Sequence, residues 1–185
     1  MKDKKGFTLI EMLVVVLIIG VLAAIALPKY KKAVTKSKAA KMQTLLAQFI
    51  QSMERYYLVE GKYPSSFDDL DINTSLPISN GQNKDLTCGI NMVSHSVMHG
   101  DDFEIALYDF GIWKQYSMAA FFTKGKHKCR GFVYFFNDDD YNGSIYCGEH
   151  RNNRSCGDGC EPGIFCQDVL GKSYVAAQKL IALYK

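Results

Sequence analysis

Glu11 is a carboxylate within an otherwise apolar segment, and its position predicts a specific chemistry. The segment from Phe7 to Leu27 is about 21 residues long, or roughly 31 Å as a helix, which matches the hydrocarbon thickness of a bilayer. A carboxylate at the bilayer centre costs about 2.5 to 3.5 kcal/mol on insertion scales. The segment can therefore span a membrane if Glu11 either lies near the headgroups or pairs with a positively charged partner.

The residues before the apolar segment differ from those of an ordinary secretory signal. Such a signal has its small residues after the apolar region, whereas here Gly6 comes before it and follows three lysines. The sequence from Lys5 to Val34 closely resembles the type IV prepilin family, in which a short basic leader ending in glycine precedes Phe-Thr-Leu-Ile-Glu and a hydrophobic stem. The resemblance implies that prepilin peptidase cleaves between Gly6 and Phe7 and methylates the new amino group of Phe7.

The same resemblance implies a role for Glu11 in assembly. In the family this glutamate registers an incoming subunit in a filament by pairing with the amino group of the mature terminus, here Phe7. The pairing partner belongs to the same subunit or to a neighbour. The alternative, which needs no assembly, is that Glu11 reaches the headgroup layer from the first turn of the mature helix.

Gly20 and Pro28 predict a weak stretch within the stem. Pro28 has no amide donor and its ring clashes with the carbonyl of Ala24, so we expect a bend or a local break there. Gly20 costs about 1 kcal/mol relative to alanine in a helix interior. In filaments of the family this region loses helical order, and the resemblance implies the same for residues 20–28.

Beyond Pro28 the helix is expected to continue to about Val59. Apolar residues recur there at spacings of three and four, which predicts one buried helix face. They are Met42, Leu45, Leu46, Phe49, Ile50, Met53, Tyr56 and Tyr57. The second half of the helix must therefore pack on a globular head.

Lysines, with no acidic residue among them, are concentrated where the helix leaves the apolar segment. They are Lys29, Lys31, Lys32, Lys36, Lys38 and Lys41. Such a run usually forms a solvated helix face, and contacts with anionic lipid headgroups or with DNA phosphates are the alternatives. By the positive-inside rule these lysines would place the head in the cytoplasm, but the processing motif and the cysteines favour a head on the other side.

The charge of the chain does not predict a dedicated nucleic-acid binder. The formal net charge is +3, and removing the leader leaves about +1. The predicted parts are a leader (1–6), a hydrophobic stem (7–28), a continuing helix (29–59) and a globular head (60–185).

The head is predicted to be α+β, with an antiparallel sheet that covers the apolar stripe of the helix. Four segments rich in aromatic and β-branched residues predict its strands. They are Phe103–Tyr108, Trp113–Thr123, Gly131–Phe136 and Ser144–Cys147. The last segment, Tyr174–Tyr184, alternates poorly and is predicted to be helical.

All six cysteines lie in the head, which predicts disulfides in an exported domain. They are Cys88, Cys129, Cys147, Cys156, Cys160 and Cys166. Three bridges are expected, with the pairing left open, and the type IV pilin resemblance agrees with a disulfide that closes the carboxyl-terminal loop. A zinc site that also uses His150 is the alternative, but the cysteine spacings lack the usual paired pattern.

The stretch Asp138-x-Asp140-x-Asn142-Gly143, with Glu149 six residues after the glycine, satisfies the EF-hand loop pattern, whose oxygens suit calcium. A strand precedes it, however, and Ser-Ile-Tyr-Cys follows. We therefore expect a polar hairpin turn in which Asn142-Gly143 supplies the positive φ, with Glu149 on the return strand.

Catalytic motifs are missing from the sequence. The four histidines, which are His95, His99, His127 and His150, fall in no metalloprotease pattern, and neither a Gly-x-Ser-x-Gly elbow nor a phosphate-binding glycine loop occurs. The sequence therefore predicts a structural protein without a cofactor.

Taken with the resemblance, the sequence predicts a prepilin that is inserted in the inner membrane with its head outside the cytoplasm. It would then assemble through its helix into an extracellular filament. The expected partners are copies of itself, other pilins, prepilin peptidase and the assembly machinery. The alternatives are a pseudopilin of type II secretion or competence and a membrane-anchored adhesin that does not polymerise.

Overall fold

The computed structural model describes residues 6–83, 94–109, 116–136, 141, 143–150, 163–178 and 181–185. The chain divides into two compact units, Met1–Lys38 and Ala39–Lys185, which share one helix. This helix, α1, runs from Leu9 to Glu60 and confirms the helix predicted from about Phe7 to Val59.

Helix α1 ends where the sequence provides a glycine. Gly61 has a φ of 68°, the left-handed conformation that favours glycine at a helix carboxyl terminus. Its N–H donates to the carbonyl of Tyr57, with an N···O distance of 2.9 Å. The helix thus stops within two residues of the predicted boundary.

The helix is continuous through both Gly20 and Pro28. Of the two expectations at Pro28, the local break is therefore wrong for the single chain, and the bend stays a prediction. Proline removes one hydrogen bond, but the turns on either side keep theirs, and helix propagation is cooperative. Loss of helical order between Gly20 and Pro28 during assembly stays a prediction.

In the second unit, the described strands form one antiparallel sheet of eight strands. They are β1 (Ile78–Asn83), β2 (Ser94–His99), β3 (Phe103–Asp109), β4 (Tyr116–Phe122), β5 (Arg130–Phe135), β6 (Tyr146–His150), β7 (Tyr174–Gln178) and β8 (Ile181–Tyr184). Their order is β1-β2-β3-β4-β5-β6-β8-β7, so the first six form a meander. The α+β class and the antiparallel sheet are confirmed.

The four predicted strands correspond to β3, β4, β5 and β6, and no boundary differs from its predicted position by more than three residues. Strands β1 and β2 were not predicted, because their sequences are rich in serine, asparagine and histidine rather than β-branched residues. Strand β2 pairs with the apolar strand β3, and β1 in turn pairs with β2, so both are added to the sheet by main-chain pairing.

The helix predicted for Tyr174–Tyr184 is wrong, since this segment forms the hairpin of β7 and β8. Strand β8 lies between β6 and β7 and pairs with both, in a register that places Leu183 opposite Gly148. Main-chain bonds from a distant strand thus override the local preference of an alanine- and lysine-containing segment.

The core of the second unit lies between α1 and one face of the sheet. Met42, Leu46, Phe49 and Met53 of the helix are each at most 1% exposed, which confirms the predicted apolar stripe as far as Met53, whereas Tyr57 at its end is 40% exposed. They share one cluster with strand residues such as Ile105 and with the ring of Phe67. The central strand β5 is buried along its whole length, on both faces of the sheet.

The segment after α1 is held to the first two strands by polar groups. A single 3₁₀ turn spans Phe67–Asp69, and the Phe67 N–H donates to Ser96 Oγ of β2 at 3.2 Å. Ser96 Oγ donates to Asn80 Oδ1 of β1 at 2.7 Å, and Asn80 Nδ2 donates to Asp68 Oδ2 at 2.5 Å. These bonds satisfy Ser96, which is fully buried.

Candidate functional site

The amino terminus of α1 carries a reciprocal capping box formed by Thr8 and Glu11. The Glu11 N–H donates to Thr8 Oγ1 at 3.3 Å, and Glu11 Oε2 accepts from the Thr8 N–H at 2.7 Å and from the Thr8 hydroxyl at 2.6 Å. This is the Thr-x-x-Glu pattern in which the two residues satisfy each other's main-chain donors. The capping box therefore holds the Glu11 carboxylate against Thr8, the residue that directly follows Phe7.

The capping box gives Glu11 a structural role that the sequence reasoning missed. The signal was present in the sequence, since Thr8 and Glu11 have the spacing of a capping box before an apolar run. Both residues are exposed, as are Gly6 and Phe7 on either side of the predicted cleavage point. Cleavage between Gly6 and Phe7 stays a prediction.

The apolar side chains that follow form an uncovered surface. From Phe7 to Leu27 every large hydrophobic side chain is exposed in the single chain. Helix α1 contains one window apolar and long enough to cross a membrane, and none of that window is buried within the molecule. A surface of this kind must be covered by lipid or by other chains. A methyl group at Gly20 would meet no atom within 4 Å.

In the head, the buried carboxylate of Glu149 binds the segment that follows residue 162. Glu149 lies in β6, is fully buried, and its Oε1 accepts from the N–H groups of Phe165 at 2.8 Å and Cys166 at 2.6 Å. Its Oε2 accepts from the N–H of Gly163. Three main-chain donors thus compensate a charge that would otherwise be costly to bury.

The same segment is bound covalently to β6. Cys147 and Cys166 form a disulfide, with 5.8 Å between their Cα atoms, and Cys166 is also a donor to Glu149. The expectation of a disulfide that closes the carboxyl-terminal region is confirmed for this pair. Cys129 is buried immediately before β5, whereas Cys88, Cys156 and Cys160 lie outside the described residues, so the pairing of these four cysteines stays a prediction.

The geometry of Glu149 bears on the EF-hand pattern. Glu149 lies on the strand after the turn, as predicted, and both of its oxygens already accept main-chain hydrogen bonds. Gly143 has a φ of 79°, in agreement with a tight turn. Asp138, Asp140 and Asn142 lie outside the described residues. Among the residues that are described, no group of three His, Cys, Asp or Glu side chains could hold a metal ion.

A second polar cluster joins α1 to the following loop. Arg55 Nε donates to Asp71 Oδ2 and Arg55 Nη2 to Asp71 Oδ1, each at 2.7 Å, and the Ser52 hydroxyl also donates to Asp71. The hydrogen bonds from Arg55 and then Ser52 lower the pKa of Asp71 to about 2. The bidentate pair holds the loop to the last turns of the helix.

A polar row crosses the first three strands. Ser79 Oγ of β1 lies 2.9 Å from His99 Nε2 of β2, and His99 Nδ1 lies 3.2 Å from Glu104 Oε1 of β3. His99 and Glu104 stand opposite each other in the strand register. The row therefore ties the side chains of three neighbouring strands together on one face of the sheet.

A basic turn connects β4 to β5, and the sequence reasoning overlooked it. We define the basic turn as Lys124, Lys126, His127 and Lys128, which follow one another within five positions. Burial, and then the charges of Arg130 and Lys126, lower the pKa of His127. The lysines at 124 and 126 are exposed, so this turn presents positive charge to the solvent. The concentration of basic residues within five consecutive positions is the sequence signal for this turn.

Two known protein families match segments in the first half of the chain. Residues 1–27 match the family described as the prokaryotic N-terminal methylation motif. Residues 28–91 match the family described as type IV minor pilin ComP, DNA uptake sequence receptor. Each match covers less than half of the chain.

Curated relatives are pilins from several bacteria. A fimbrial protein of Neisseria meningitidis serogroup A is 35% identical over 75 residues, which is 40% of this chain and 44% of that protein. The type IV major alpha-pilin of Moraxella bovis is 45% identical over 64 residues, or 35% of this chain and 40% of that protein. The fimbrial protein EcpC of Eikenella corrodens is 42% identical over 62 residues, or 34% and 40%. The chain spans less than half the length of these relatives, and no solved structure matches it.

Proposed function

We propose, from the premise that the chain is a type IV pilin-like protein, that it is a structural subunit of a type IV pilus. In this proposal prepilin peptidase cleaves between Gly6 and Phe7, and the subunit then polymerises through α1. The observation that carries the proposal is the fully exposed apolar surface of α1, with the capped Glu11 carboxylate at its amino-terminal end.

The exposed apolar surface supports the proposal that the stem lies first in a bilayer and then in the core of a filament. An apolar helix of this length is stable in a bilayer, where its main-chain groups are satisfied internally. Removal from the bilayer requires equivalent cover, and identical stems packed side by side provide it. The same residues therefore serve first as an anchor and then as the filament core.

The capping box supports a role for Glu11 in that exchange. Cleavage before Phe7 would convert its amide nitrogen into a charged amine, next to the residue whose N–H Glu11 already binds. The described donors to the Glu11 carboxylate are the N–H and the hydroxyl of Thr8, and both donate to Oε2. Oε1 can therefore accept from a second donor, such as the amine of Phe7 on the same or a neighbouring subunit.

The experiment compares filament assembly by Glu11→Leu and Glu11→Gln variants with that of the parent chain. Surface filaments are sheared, counted by electron microscopy with antibody to the head, and the amino terminus of the membrane pool is measured by mass spectrometry. We expect normal cleavage in both variants and a loss of filaments of at least about tenfold, because a charge-assisted pair in an apolar setting is lost. Glu60→Gln, at the other end of α1, is the matched control and should assemble normally. Normal filaments from Glu11→Leu would contradict the role of Glu11.

The basic turn favours DNA binding as a second candidate function. The family that matches residues 28–91 is described as a DNA uptake sequence receptor, and this chain carries four neighbouring basic or titratable side chains between β4 and β5. Lysines that neutralise phosphates release counterions, so binding falls steeply with salt. We infer that the basic turn contacts the phosphates of duplex DNA.

Fluorescence anisotropy with a labelled duplex and the detergent-solubilised full chain tests this second function. A variant with glutamine at 124, 126 and 128 should bind more weakly. The slope of its log binding constant against log salt concentration should become shallower by roughly 0.9 per lost phosphate contact. A variant with glutamine at Lys62 and Lys172, two exposed lysines elsewhere in the head, is the control. Equal affinity and equal salt dependence in the two variants would contradict a role of the basic turn in DNA binding.

A further inference from the structure

Four lysines directly follow the apolar segment of α1, and we define Lys29, Lys31, Lys32 and Lys36 as the lysine band. All four are exposed. At 1.5 Å per residue, the band begins about 3 Å beyond Leu27 and ends about 14 Å beyond it. In a chain that spans a bilayer, the first three lysines therefore lie at the depth of the lipid headgroups.

The charges of the lysine band repel one another. Lys32 lies three residues after Lys29 and four residues before Lys36, so the three ammonium groups are neighbours on the helix surface. The helix contains no carboxylate between Glu11 and Glu54, and no residue that the structure describes forms an ion pair with a band lysine. An external anion would relieve this repulsion.

The directions of the band lysines fit an anionic bilayer surface around the helix better than a ligand that contacts only one side of the helix. At about 100° per residue, the four lysines point over an arc of roughly 160° around the helix. The first three lysines alone span this arc, and a bilayer surface, which surrounds the helix, can contact all three at the depth of the headgroups. Tyr30, which is 68% exposed, lies at the same depth, where tyrosine is commonly found at membrane interfaces.

We propose that the lysine band binds the headgroups of anionic phospholipids and so fixes the depth of the stem before assembly. The inference depends on the proposed function only in requiring that α1 spans a membrane. Duplex DNA is the competing polyanion, but headgroups already occupy the depth of Lys29 to Lys32 in the inserted chain. DNA would have to displace them to reach these residues.

Residue-resolved acetylation of the full chain tests the proposal. The chain is reconstituted in vesicles of phosphatidylcholine, alone or with about 30% phosphatidylglycerol, and treated with a water-soluble amine reagent. We expect the band lysines to react at least about threefold more slowly in the anionic vesicles, and the difference to disappear at high salt. Lys62 and Lys172, which are exposed in the head, serve as internal controls and should react equally in both.

Two variants test the lipid preference of the band directly. Replacing all four band lysines by glutamine should abolish the preference for spin-labelled phosphatidylglycerol over phosphatidylcholine in the lipid shell of the protein. Glutamine at 62, 172 and 185, three exposed lysines of the head that lie outside the basic turn, should leave that preference unchanged.

Equal acetylation in the two kinds of vesicle would overturn the proposal. The proposal would also be overturned if added duplex DNA slowed the acetylation of the band lysines and anionic lipid did not. Carbonate extraction of the vesicles shows separately whether the chain is inserted. A chain that is not inserted contradicts the proposed function, whereas an inserted chain without lipid preference contradicts only this inference.

Discussion

Oε1 of Glu149 lies 2.6 Å from the main-chain nitrogen of Cys166, the residue whose sulfur is bonded to Cys147 on the same strand as Glu149. One strand therefore holds the segment after residue 162 twice, by a covalent bond and by a buried carboxylate. The Glu149 contacts satisfy main-chain donors that the disulfide alone would leave without a described acceptor.

Glu149→Gln should destabilise the head by about 2 to 4 kcal/mol, because buried N–H groups lose a charged acceptor. The amide keeps the size of the side chain but turns one oxygen into a donor that faces other donors. Urea unfolding of the detergent-solubilised chain, with the disulfide intact, measures the change. Glu60→Gln should stay within about 0.5 kcal/mol, as is usual for an exposed residue. Equal midpoints for the two variants would show that the Glu149 contacts contribute little.

Gly131→Ala should unfold the centre of the sheet or destabilise it by about 3 kcal/mol. A Cβ at this position of β5 would lie 1.9 Å from the carbonyl oxygen of Ala120 on β4, and a backbone atom can move away only by distorting the strand pair. Thermal unfolding measures the effect. Gly20→Ala is the control for adding a methyl group, since nothing lies within 4 Å of its new atom. An unchanged midpoint for Gly131→Ala would mean that β4 and β5 are further apart than described.

Stability should fall as the pH decreases from about 4 towards 2, in part because of Asp71. Hydrogen bonds from Arg55, and then from Ser52, lower the pKa of Asp71 from 3.8 to about 2 in the folded chain. A carboxylate with a lowered pKa stabilises the fold above its unfolded pKa and loses that contribution as it becomes protonated. Asp71→Asn should therefore show a shallower decrease over this range.

The effect of Asp71 should also weaken with salt, since the Arg55 and Asp71 side chains are 52% and 57% exposed. The unfolding midpoint measured at several pH values, with Asp101→Asn as the control, tests the assignment. If the two variants show the same pH dependence, the ion pair does not contribute to the acid sensitivity of the fold.

Gly20→Ala combined with Pro28→Ala should leave membrane insertion unchanged but reduce filament formation. Each substitution favours the helix, by about 1 kcal/mol at Gly20 and by up to about 3 kcal/mol at Pro28. The single chain is already helical across this stretch, so only a step that requires loss of helical order would be opposed. Electron microscopy of sheared filaments and carbonate extraction of membranes measure the two effects. Normal filaments from the double variant would contradict melting of this stretch during assembly.

The long helix and the central strands could be predicted from the sequence because their signals are local. Spacings of three and four predicted the stripe that contains Met42 and Phe49, and runs of aromatic residues predicted β4 and β5. Strand β8 could not be predicted in this way, since its partner β6 lies more than 30 positions earlier in the sequence. Local propensity carries no information about such a pairing.

The role of Glu149 was also beyond the sequence. Its three partners are main-chain N–H groups, which every residue except proline has, so no residue type marks them. The sequence predicted only that Glu149 lies on the strand after a polar turn, with calcium binding as the alternative suggested by the aspartates before it. The capping box at Thr8 and the basic turn differ from Glu149, because residue types and spacing mark both of them in the sequence, although overall composition and net charge do not.

The central claim is that this chain becomes a processed filament subunit, and the amino terminus of the chain in sheared surface filaments tests it most directly. Mass spectrometry of those filaments should show a subunit that begins at Phe7, with one methyl group on its amino nitrogen, and no chain that retains residues 1–6. A chain that begins at Met1, or a processed chain that is found only in the membrane and never in filaments, would contradict the account.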